Sequence, residues 1–310
     1  MRILAALGGN AMLRRGEPLT EAAQQANIAQ AAAALAALAA DGHSLILTHG
    51  NGPQVGLLAL QAEAGPAGAA QPLDSLDAES EGWIGYLLEQ ELANALPAGT
   101  EIATLLTRIE VDAGDPAFAA PSKPIGPVYD EATAKNLATQ RGWRVAPDGK
   151  YWRRVVPSPA PMRLLNEASI ARLVAAGTLV ICAGGGGIPV IRGGNGLWRG
   201  TEAVIDKDAA GALLAARLQA DLFLMLTDVD AVYLDYGTPS QQKLSRTSPE
   251  ALMAHGFAAG SMGPKVAAAC QFARQTGHCA AIGNLHDAVN IVRGVAGTLI
   301  GINATPRAFL

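Results

Sequence analysis

The sequence LVICAGGGG at residues 179–187 joins a short apolar run to four consecutive glycines, and the charged segment EAVIDKD follows at residues 202–208. An apolar run that ends in glycines is typical of a parallel strand whose end lies where the backbone comes close to a ligand. For the glycines alone, a surface turn followed by solvated charges is an equal alternative. The rest of the chain helps to decide between these two interpretations.

Two other apolar runs end in the same way. Residues 3–7 lead into GGNA at residues 8–11, and residues 44–48 lead into HGNGPQVG at residues 49–56. In an open parallel sheet, ligands bind beyond the carboxyl ends of the strands. Asn amides and backbone N–H groups at two such ends predict one wall of a pocket for carboxylate or phosphate oxygens. His49 is compatible with acid–base chemistry there, but a structural histidine is the more common case.

The order of the remaining segments predicts the fold class. Propensity and apolar spacing predict strands at residues 102–106, 222–227 and 280–283, and helices at residues 20–40, 81–96, 164–176, 208–220 and 266–276. Thr20 is a candidate N-cap, and residues 63–80 are predicted as a surface connection. Residues 112–161 contain eight prolines, which is typical of a lid or the edge of a subdomain. We therefore predict an α/β fold with an open, mostly parallel central sheet, helices on both faces and a small protruding subdomain.

Composition and charge exclude several classes of function. The chain has 310 residues, a formal net charge of −4 and no basic stripe, so nucleic acid is not an expected partner. Its three cysteines include no CxxC pair, which predicts neither a disulfide framework nor a zinc site and favours a reducing compartment. No apolar segment is long enough to predict a membrane span, and the first apolar run is too short for a signal peptide. We expect a cytoplasmic protein without a membrane partner.

Two lysines stand where helices are predicted to begin. Lys207 lies between Asp206 and Asp208, and Lys265 precedes the helix at residues 266–276, where a lysine is unfavourable unless an anion is bound. Glycine loops, two such lysines and adjacent carboxylates fit phosphoryl transfer, which needs positioning and positive charge more than covalent chemistry. No lysine precedes Ser or Thr, and neither HRD nor DFG occurs, which excludes the P-loop and protein-kinase arrangements.

Two further residues have two interpretations each. Lys123 lies in the proline-rich loop PSKPIGP at residues 121–127, where a solvated lysine is the simpler interpretation. Tyr233 follows the strand predicted at residues 222–227, and it either covers a nucleotide base or belongs to the core.

Seven segments, taken together and in order, resemble the carbamate kinases of the amino acid kinase superfamily. They are GGNA (8–11), HGNGPQVG (49–56), KPIGP (123–127), RRVVPSP (153–159), CAGGGGIPV (182–190), EAVIDKD (202–208) and GSMGPKV (260–266). Each short glycine motif is a weak signal by itself, but the ordered set covers nearly the whole chain. The KPIGP and RRVVPSP segments resemble the subdomain that separates carbamate kinases from their relatives.

This resemblance implies reversible phosphoryl transfer between ATP and carbamate, running in cells mostly from carbamoyl phosphate and ADP towards ATP. The residues that would bind carbamate and the transferring group are Gly8, Gly9, Asn10, Gly50 and Asn51. Lys207 and Lys265 would neutralise charge on that group, and Asp208 would orient both lysines. Lys123 would move onto carbamoyl phosphate from the protruding subdomain. The nucleotide would contact Lys207, Lys265, Thr227, Asp228, Tyr233 and Met262.

The same resemblance implies the organisation of the chain and its partners. In the amino acid kinase fold, residues 1–178 would form the acceptor lobe, with the protruding subdomain at about 112–161, and residues 179–310 would form the nucleotide lobe. Magnesium would bridge the nucleotide phosphates without a protein cage of its own, and a homodimer is implied. The pathway, either arginine metabolism or purine-derived carbamoyl compounds, stays open.

Two other functions also stay open. One is a kinase of the same superfamily for another small carboxylate or phosphate, and the other is a nucleotide-binding regulator without catalytic activity. The presence of both lysines and Asp208 argues against the regulator. Trp83, Thr201 and Ala231 depart from the family pattern, and Ala231 is expected to alter the loop beside Tyr233.

Overall fold

The computed structural model describes residues 1–9, 12–13, 17–18, 20–65, 71–257, 262–303 and 307–308. Asn10, one of the predicted substrate residues, lies outside this part of the chain, as do Gly260 and Ser261. The strands are β1 (Arg2–Leu7), β2 (Ser44–His49), β3 (Ile102–Leu105), β4 (Arg108–Val111), β5 (Lys123–Tyr129), β6 (Arg144–Asp148), β7 (Tyr151–Val156), β8 (Pro161–Leu164), β9 (Leu179–Cys182), β10 (Ile188–Arg192), β11 (Trp198–Gly200), β12 (Leu222–Thr227), β13 (Val232–Leu234), β14 (Gln242–Thr247), β15 (Cys279–Asn284), β16 (Thr298–Ile300) and β17 (Arg307–Ala308). The helices are α1 (Glu21–Ala40), α2 (Gly52–Ala64), α3 (Leu73–Ala95), α4 (Glu131–Arg141), α5 (Glu167–Ala175), α6 (Lys207–Arg217), α7 (Pro249–Met253), α8 (Met262–Thr276) and α9 (Ala288–Val292).

The main sheet has the strand order β13-β14-β16-β15-β12-β1-β2-β9-β3, with β17 paired to β14. All pairs from β15 to β3 along this order are parallel, and antiparallel pairs join β13 to β14, β15 to β16 and β17 to β14. Leu7 of β1 is level with His49 of β2 and with Leu226 of β12. This register places the segments that follow these three strands side by side.

Helices cover both faces of the main sheet. On one face α6 and α8 pack on the strands, and the Phe223 ring of β12 meets the Phe272 ring of α8 edge to face, with 5.7 Å between centroids. On the other face α1 and α3 place Ile28 and Ile84 against Leu7 and its neighbours. Because β1 is buried on both sides, its sequence is apolar without alternation. The predicted α/β fold with an open, mostly parallel sheet is confirmed.

The segment predicted as a surface connection, residues 63–80, includes the first two turns of a helix, so that prediction was wrong. The helix α3 begins at Leu73 instead of at residue 81. Asp77 and Ser80, whose polarity suggested exposure, are buried on its inner side. Polar composition does not predict exposure where the side chains find hydrogen-bond partners inside the protein.

The four glycines at residues 184–187 form a buried turn that contacts the protein's own side chains. A Cβ on Gly184 would lie 2.2 Å from Nε2 of His49, and one on Gly185 would lie 2.2 Å from Nδ2 of Asn51. Gly185, Gly186 and Gly187 also have positive φ angles, which residues other than glycine rarely adopt. The sequence predicted a close approach of this turn to a ligand, or else a surface turn. The close approaches observed are to the protein interior.

Two buried carboxyl groups of α3 lie behind this glycine turn. Glu81 accepts hydrogen bonds from the backbone N–H groups of Gly184 (2.9 Å) and Thr107 (3.1 Å). Asp77 accepts one from Nδ2 of Asn51 at 3.1 Å. Burial raises the pKa of Glu81 to about 8, against the opposing effect of its backbone donors, and it raises the pKa of Asp77 well above its usual range. Glu81 therefore keeps its proton at neutral pH, next to the glycine turn and the end of β2.

The sheet β5-β7-β6, together with α4, is built from the proline-dense segment and packs on α2. A Cβ on Gly56 of α2 would lie 1.9 Å from Cα of Gly126 in β5, so backbone meets backbone directly. Near the end of α2, Glu63 accepts a hydrogen bond from Nη1 of Arg141 at 2.7 Å. These contacts fix β5, and with it the backbone of Lys123, relative to α2.

Gly56→Ala is expected to disrupt this contact. The added methyl group would meet the backbone of Gly126, which cannot rotate away as a side chain can, so we expect a loss of about 1–3 kcal/mol in the free energy of unfolding, measured by denaturant titration. Gly52→Ala on the same helix is the matched control, because its Cβ would meet no atom within 4 Å. Equal stability of the two variants would show that α2 and β5 do not need this close approach.

The buried carboxyl of Glu81 predicts a pH dependence of stability. Its pKa is about 8 in the folded protein against an ordinary value of 4.5, so the unfolded state holds fewer protons between these values and the free energy of unfolding falls as pH rises. His49, with a folded pKa of about 4 against 6.5, has the opposite effect, but only below about pH 6.5. Between about pH 6.5 and 8 we expect stability to decline, with a contribution from Glu81 of up to about 1.4 kcal/mol per pH unit.

Glu81→Gln is expected to reduce this slope, whatever it does to the absolute stability, because glutamine does not titrate. Part of the decline remains, since the raised pKa of Asp77 acts in the same direction. Denaturant titrations of both proteins across this pH range measure the two slopes. An identical slope in the variant would contradict the assignment to Glu81.

Candidate active site

The ends of β1 and β2 bring predicted acceptor residues next to the first lysine. The N–H of Gly8 donates to the carbonyl oxygen of Leu226 at 2.8 Å, which ties the end of β1 to the end of β12. A Cβ on Gly50 would lie 3.4 Å from the backbone N of Gly9 and 3.4 Å from Cδ of Lys207. Gly9, Gly50 and Lys207 are therefore neighbours, and the missing side chains leave room for the lysine stem.

A buried carboxylate, Asp208, contacts both lysines that the sequence singled out. Its side chain is 4% exposed, its Oδ1 lies 2.5 Å from Nζ of Lys207, and its Oδ2 lies 3.0 Å from Nζ of Lys265. Lys207 is the first residue of α6, and Lys265 lies in the first described turn of α8. The structure thus joins three residues from two helices into one group beside the glycine ends of the strands.

The charges of this group favour an anion. Burial alone would raise the pKa of Asp208, but the two ammonium groups outweigh burial and hold it well below its usual range. Burial lowers the pKa of Lys207, and Asp208 opposes that effect. Two lysines around one carboxylate leave a positive charge in excess, in a place where water screens it little. Such a group can neutralise the charge of a phosphoryl group.

Lys123 is engaged with the start of the same helix. Its Nζ lies 2.5 Å from Oδ2 of Asp206, the N-cap of α6, while Oδ1 of Asp206 accepts from the backbone N–H groups of Asp208 and Ala209. The loop around Lys123 predicted a solvated lysine, and only the family resemblance placed it near the site. Sequence reasoning assigned no role to Asp206, although an aspartate just before a predicted helix start is a signal for an N-cap.

Asn51 is held from behind by α3. Its amide donates to Oδ1 of Asp77 at 3.1 Å and to Oγ of Ser80 at 2.9 Å. Among the described residues, its side chain makes no capping hydrogen bond to α2, although it directly precedes that helix. The first backbone N–H groups of α2 are therefore not covered by this side chain, and backbone donors are what this end offers to a ligand.

His49 is buried at the end of β2. Its Nδ1 lies 3.1 Å from the carbonyl oxygen of Gly50, and its Nε2 has no hydrogen-bond partner among the described residues. Burial lowers the pKa of His49 to about 4, so the ring is neutral at physiological pH. A neutral ring packed against the glycine turn favours the structural interpretation over acid–base chemistry.

Of the predicted nucleotide residues, Thr227 is the last residue of β12, Asp228 follows it, and Tyr233 lies on β13. Thr227 ends β12 and donates to Oδ1 of Asp228 at 3.0 Å. A Cβ on Gly8 would lie 3.6 Å from Oγ1 of Thr227, so the predicted acceptor and nucleotide residues adjoin. Tyr233 is half-buried and its hydroxyl donates to Oδ1 of Asp230 at 2.9 Å. It is therefore not part of the buried core.

The remaining residues singled out by the sequence lie in different parts of the molecule. Met262, the first described residue of α8, packs partly against the core on the same helix as Lys265. Ala231 is fully buried before β13, Trp83 packs partly against the core, and the N–H of Thr201 donates to the carbonyl of Pro189. None of the departures from the family pattern removes a charge from the site.

The part of the chain that the structure describes contains neither a cluster of metal-binding side chains nor a membrane-spanning helix. No group of three or more His, Cys, Asp or Glu side chains there is placed to hold a metal ion. No helix among these residues combines the length and the apolar character that crossing a membrane requires. The three cysteines are all unpaired, and two of them, Cys182 and Cys270, are buried.

Known proteins are similar to this chain in sequence and in fold. The sequence model of the amino acid kinase family matches residues 1–284. Carbamate kinase from Haemophilus influenzae is 52% identical over 300 residues, which cover 97% of this chain and 96% of that protein. The structure of carbamate kinase from Giardia lamblia bound to citric acid has a TM-score of 0.92 and 39% identity, covering 97% of this chain and 98% of that one. The structure of the same enzyme bound to AMP-PNP has a TM-score of 0.87 and 39% identity, with the same coverage of both chains.

These similarities extend across the strand ends, α6 and α8, and confirm the family that the sequence motifs predicted. They also confirm that the protein is an enzyme of the kinase class. The chain belongs to the amino acid kinase family and, within it, to the carbamate kinases, which are ATP-dependent kinases.

Proposed function

We propose that this protein transfers a phosphoryl group reversibly between carbamoyl phosphate with ADP and carbamate with ATP. The observation that carries this proposal is the contact of Asp208 with both Lys207 and Lys265, beside the glycine ends of β1 and β2. Ammonium groups that are fixed before the substrate arrives need little reorganisation during the reaction. Similarity to carbamate kinases over nearly the whole chain supports the choice of substrate.

In the direction of ATP formation, an oxygen of the ADP β-phosphate attacks the phosphorus of carbamoyl phosphate. The bond from phosphorus to the carbamoyl oxygen breaks, and carbamate leaves with the electron pair of that bond. Lys207 and Lys265 neutralise charge on the oxygens of the moving group, while Asp208 keeps both ammonium groups directed at the same place. Positioning and charge thus supply the catalysis, and no side chain has to form a bond to phosphorus.

The carbamoyl end is proposed to lie at the ends of β1 and β2. The residues that would bind it are Gly8, Gly9, Asn10, Gly50 and Asn51. Since the amide of Asn51 is engaged with α3, Asn51 would contribute its backbone. The N–H groups of Gly52 and Gln54 at the start of α2, which the side chain of Asn51 does not cap, would add donors and the positive end of a helix dipole.

The nucleotide is proposed to lie on the other side of the lysines, against Thr227, Asp228, Tyr233 and Met262. A lysine-rich site without a described cluster of metal-binding side chains fits a magnesium ion that arrives with the nucleotide and is held by its phosphates and water. When bound, that ion would add positive charge between the phosphates. No residue of the protein is assigned to hold it.

The organisation of the molecule follows the same proposal. Residues 1–178 would form the acceptor lobe and residues 179–310 the nucleotide lobe, and the unit of β5, α4, β6 and β7 would be the protruding subdomain that carries Lys123. We also propose a cytoplasmic homodimer acting on carbamoyl phosphate from arginine metabolism, in line with the family.

Lys207→Met is expected to lower kcat for ATP formation by about a thousandfold or more, because methionine keeps the apolar stem and removes the ammonium group. A luciferase-coupled assay with ADP, carbamoyl phosphate and magnesium measures the rate. Lys150→Met, in the exposed turn between β6 and β7, is the matched control and is expected to retain activity.

Three outcomes would separate the proposal from its alternatives. Absence of ATP formation by the unaltered protein at millimolar substrate concentrations would contradict it. Turnover with another small carboxylate, with carbamate inert, would favour a different kinase of the same family. Calorimetric binding of ADP without turnover in either direction would favour a regulator without activity.

A further inference from the structure

Asp206 stands between Lys123 and the ion group that Asp208 forms with its two lysines. One of its carboxylate oxygens, Oδ1, accepts from the N–H groups of Asp208 at 2.9 Å and Ala209 at 3.1 Å. The other, Oδ2, accepts from Nζ of Lys123 at 2.5 Å. Asp206 therefore joins the start of α6, a helix that packs on the main sheet, to β5, which belongs to the separate sheet β5-β7-β6.

The two oxygens of Asp206 have different tasks. Because Oδ1 is bound to two backbone N–H groups of a helix, the carboxylate cannot turn freely, and Oδ2 is held in a defined place. The ammonium group of Lys123 is held there in turn, next to the helix that carries Lys207. A capping aspartate thus fixes the position of a side chain that comes from 83 residues away in the chain.

The chemistry of lysine allows this contact to persist when a ligand binds. An ammonium group carries three donors, so a lysine bound to one carboxylate oxygen retains donors for the oxygens of a phosphoryl group. The carboxylate of Asp206 also attracts both Lys123 and Lys207, which offsets the repulsion between their positive charges. The arrangement keeps a third cation beside the site before any substrate is bound.

We propose that Asp206 is a positioning residue for phosphoryl transfer, which holds Lys123 at the start of α6 so that its ammonium group meets the oxygens of the acyl phosphate. Asp206 itself does not contact the reacting atoms. This inference rests on the proposed function, and it assigns the task of placing Lys123 to a residue of the nucleotide half of the chain.

The kinetic test uses Asp206→Asn, which keeps an oxygen suited to capping α6 and removes the charge that holds Lys123. We expect kcat/KM for carbamoyl phosphate to fall about 10- to 100-fold, because a small displacement of a positioned group is enough for such a loss. In a Lys123→Met background, the same substitution is expected to change kcat/KM by less than about twofold, since the side chain to be placed is gone.

Asp130→Asn is the matched control. Asp130 is the N-cap of α4 and accepts from the N–H of Thr133 at 2.8 Å, but its side chain is exposed on the protruding unit and holds no described lysine. Its substitution is expected to leave kcat/KM unchanged. An equal loss for Asp206→Asn with and without Lys123, or no loss at all, would overturn the proposal.

A second measurement does not depend on activity. Labelling with an amine-reactive reagent, followed by peptide mass spectrometry, is expected to show Lys123 reacting several times faster in Asp206→Asn than in the unaltered protein. Lys135, which is exposed on α4, is expected to react at the same rate in both. Unchanged labelling of Lys123 would overturn the pairing with Asp206. Altered labelling in a protein that forms no ATP would keep the pairing and contradict only the proposed function.

Discussion

The buried ion group of Asp208, Lys207 and Lys265 is the interaction on which the rest of the site depends. A carboxylate that is 4% exposed is unfavourable without partners, and removing one partner of such a buried pair typically costs about 3–5 kcal/mol. Because the two lysines come from α6 and α8, both helices must be packed on the sheet before the carboxylate is satisfied. The interaction that helps to hold these helices together therefore also fixes the ammonium groups beside the strand ends.

The glycines around this group are required by close packing inside the protein, whether or not a ligand also requires them. At Gly184 a side chain would displace His49, and with it the end of β2 that leads into Gly50. The backbone N–H of Gly184 also donates a hydrogen bond to the buried carboxyl group of Glu81. The end of β2 and the glycine turn are thus supported by α3, and a larger residue in the turn would disturb both His49 and Glu81.

Sequence patterns were sufficient wherever structure follows from local preference. Apolar runs that lead into glycine segments predicted β1, β2 and β9 to within a residue, and Thr20, the predicted N-cap of α1, accepts a hydrogen bond from the N–H of Ala23 three residues later. Patterns failed where a residue's partner is distant. The buried start of α3 depends on Asn51, 26 residues before Asp77, and the position of Lys123 depends on Asp206, 83 residues later. Only resemblance to a family carries information of that kind.

Lys123 differs in exposure from Lys207 and Lys265, and the difference bears on the proposed function. The side chains of Lys207 and Lys265, which contact the buried carboxylate of Asp208, are 11% and 14% exposed. The side chains of Lys123 and Asp206 are 28% and 24% exposed. Ion pairs open to water are weak, because solvent competes for both partners. In the proposed reaction, Lys123 would therefore exchange part of its contact with Asp206 for a phosphoryl oxygen at small cost, while the buried ion group of Asp208 stays fixed. Since β5 itself is held to α2 through Gly56, this adjustment can be made by the side chain, with the backbone in place.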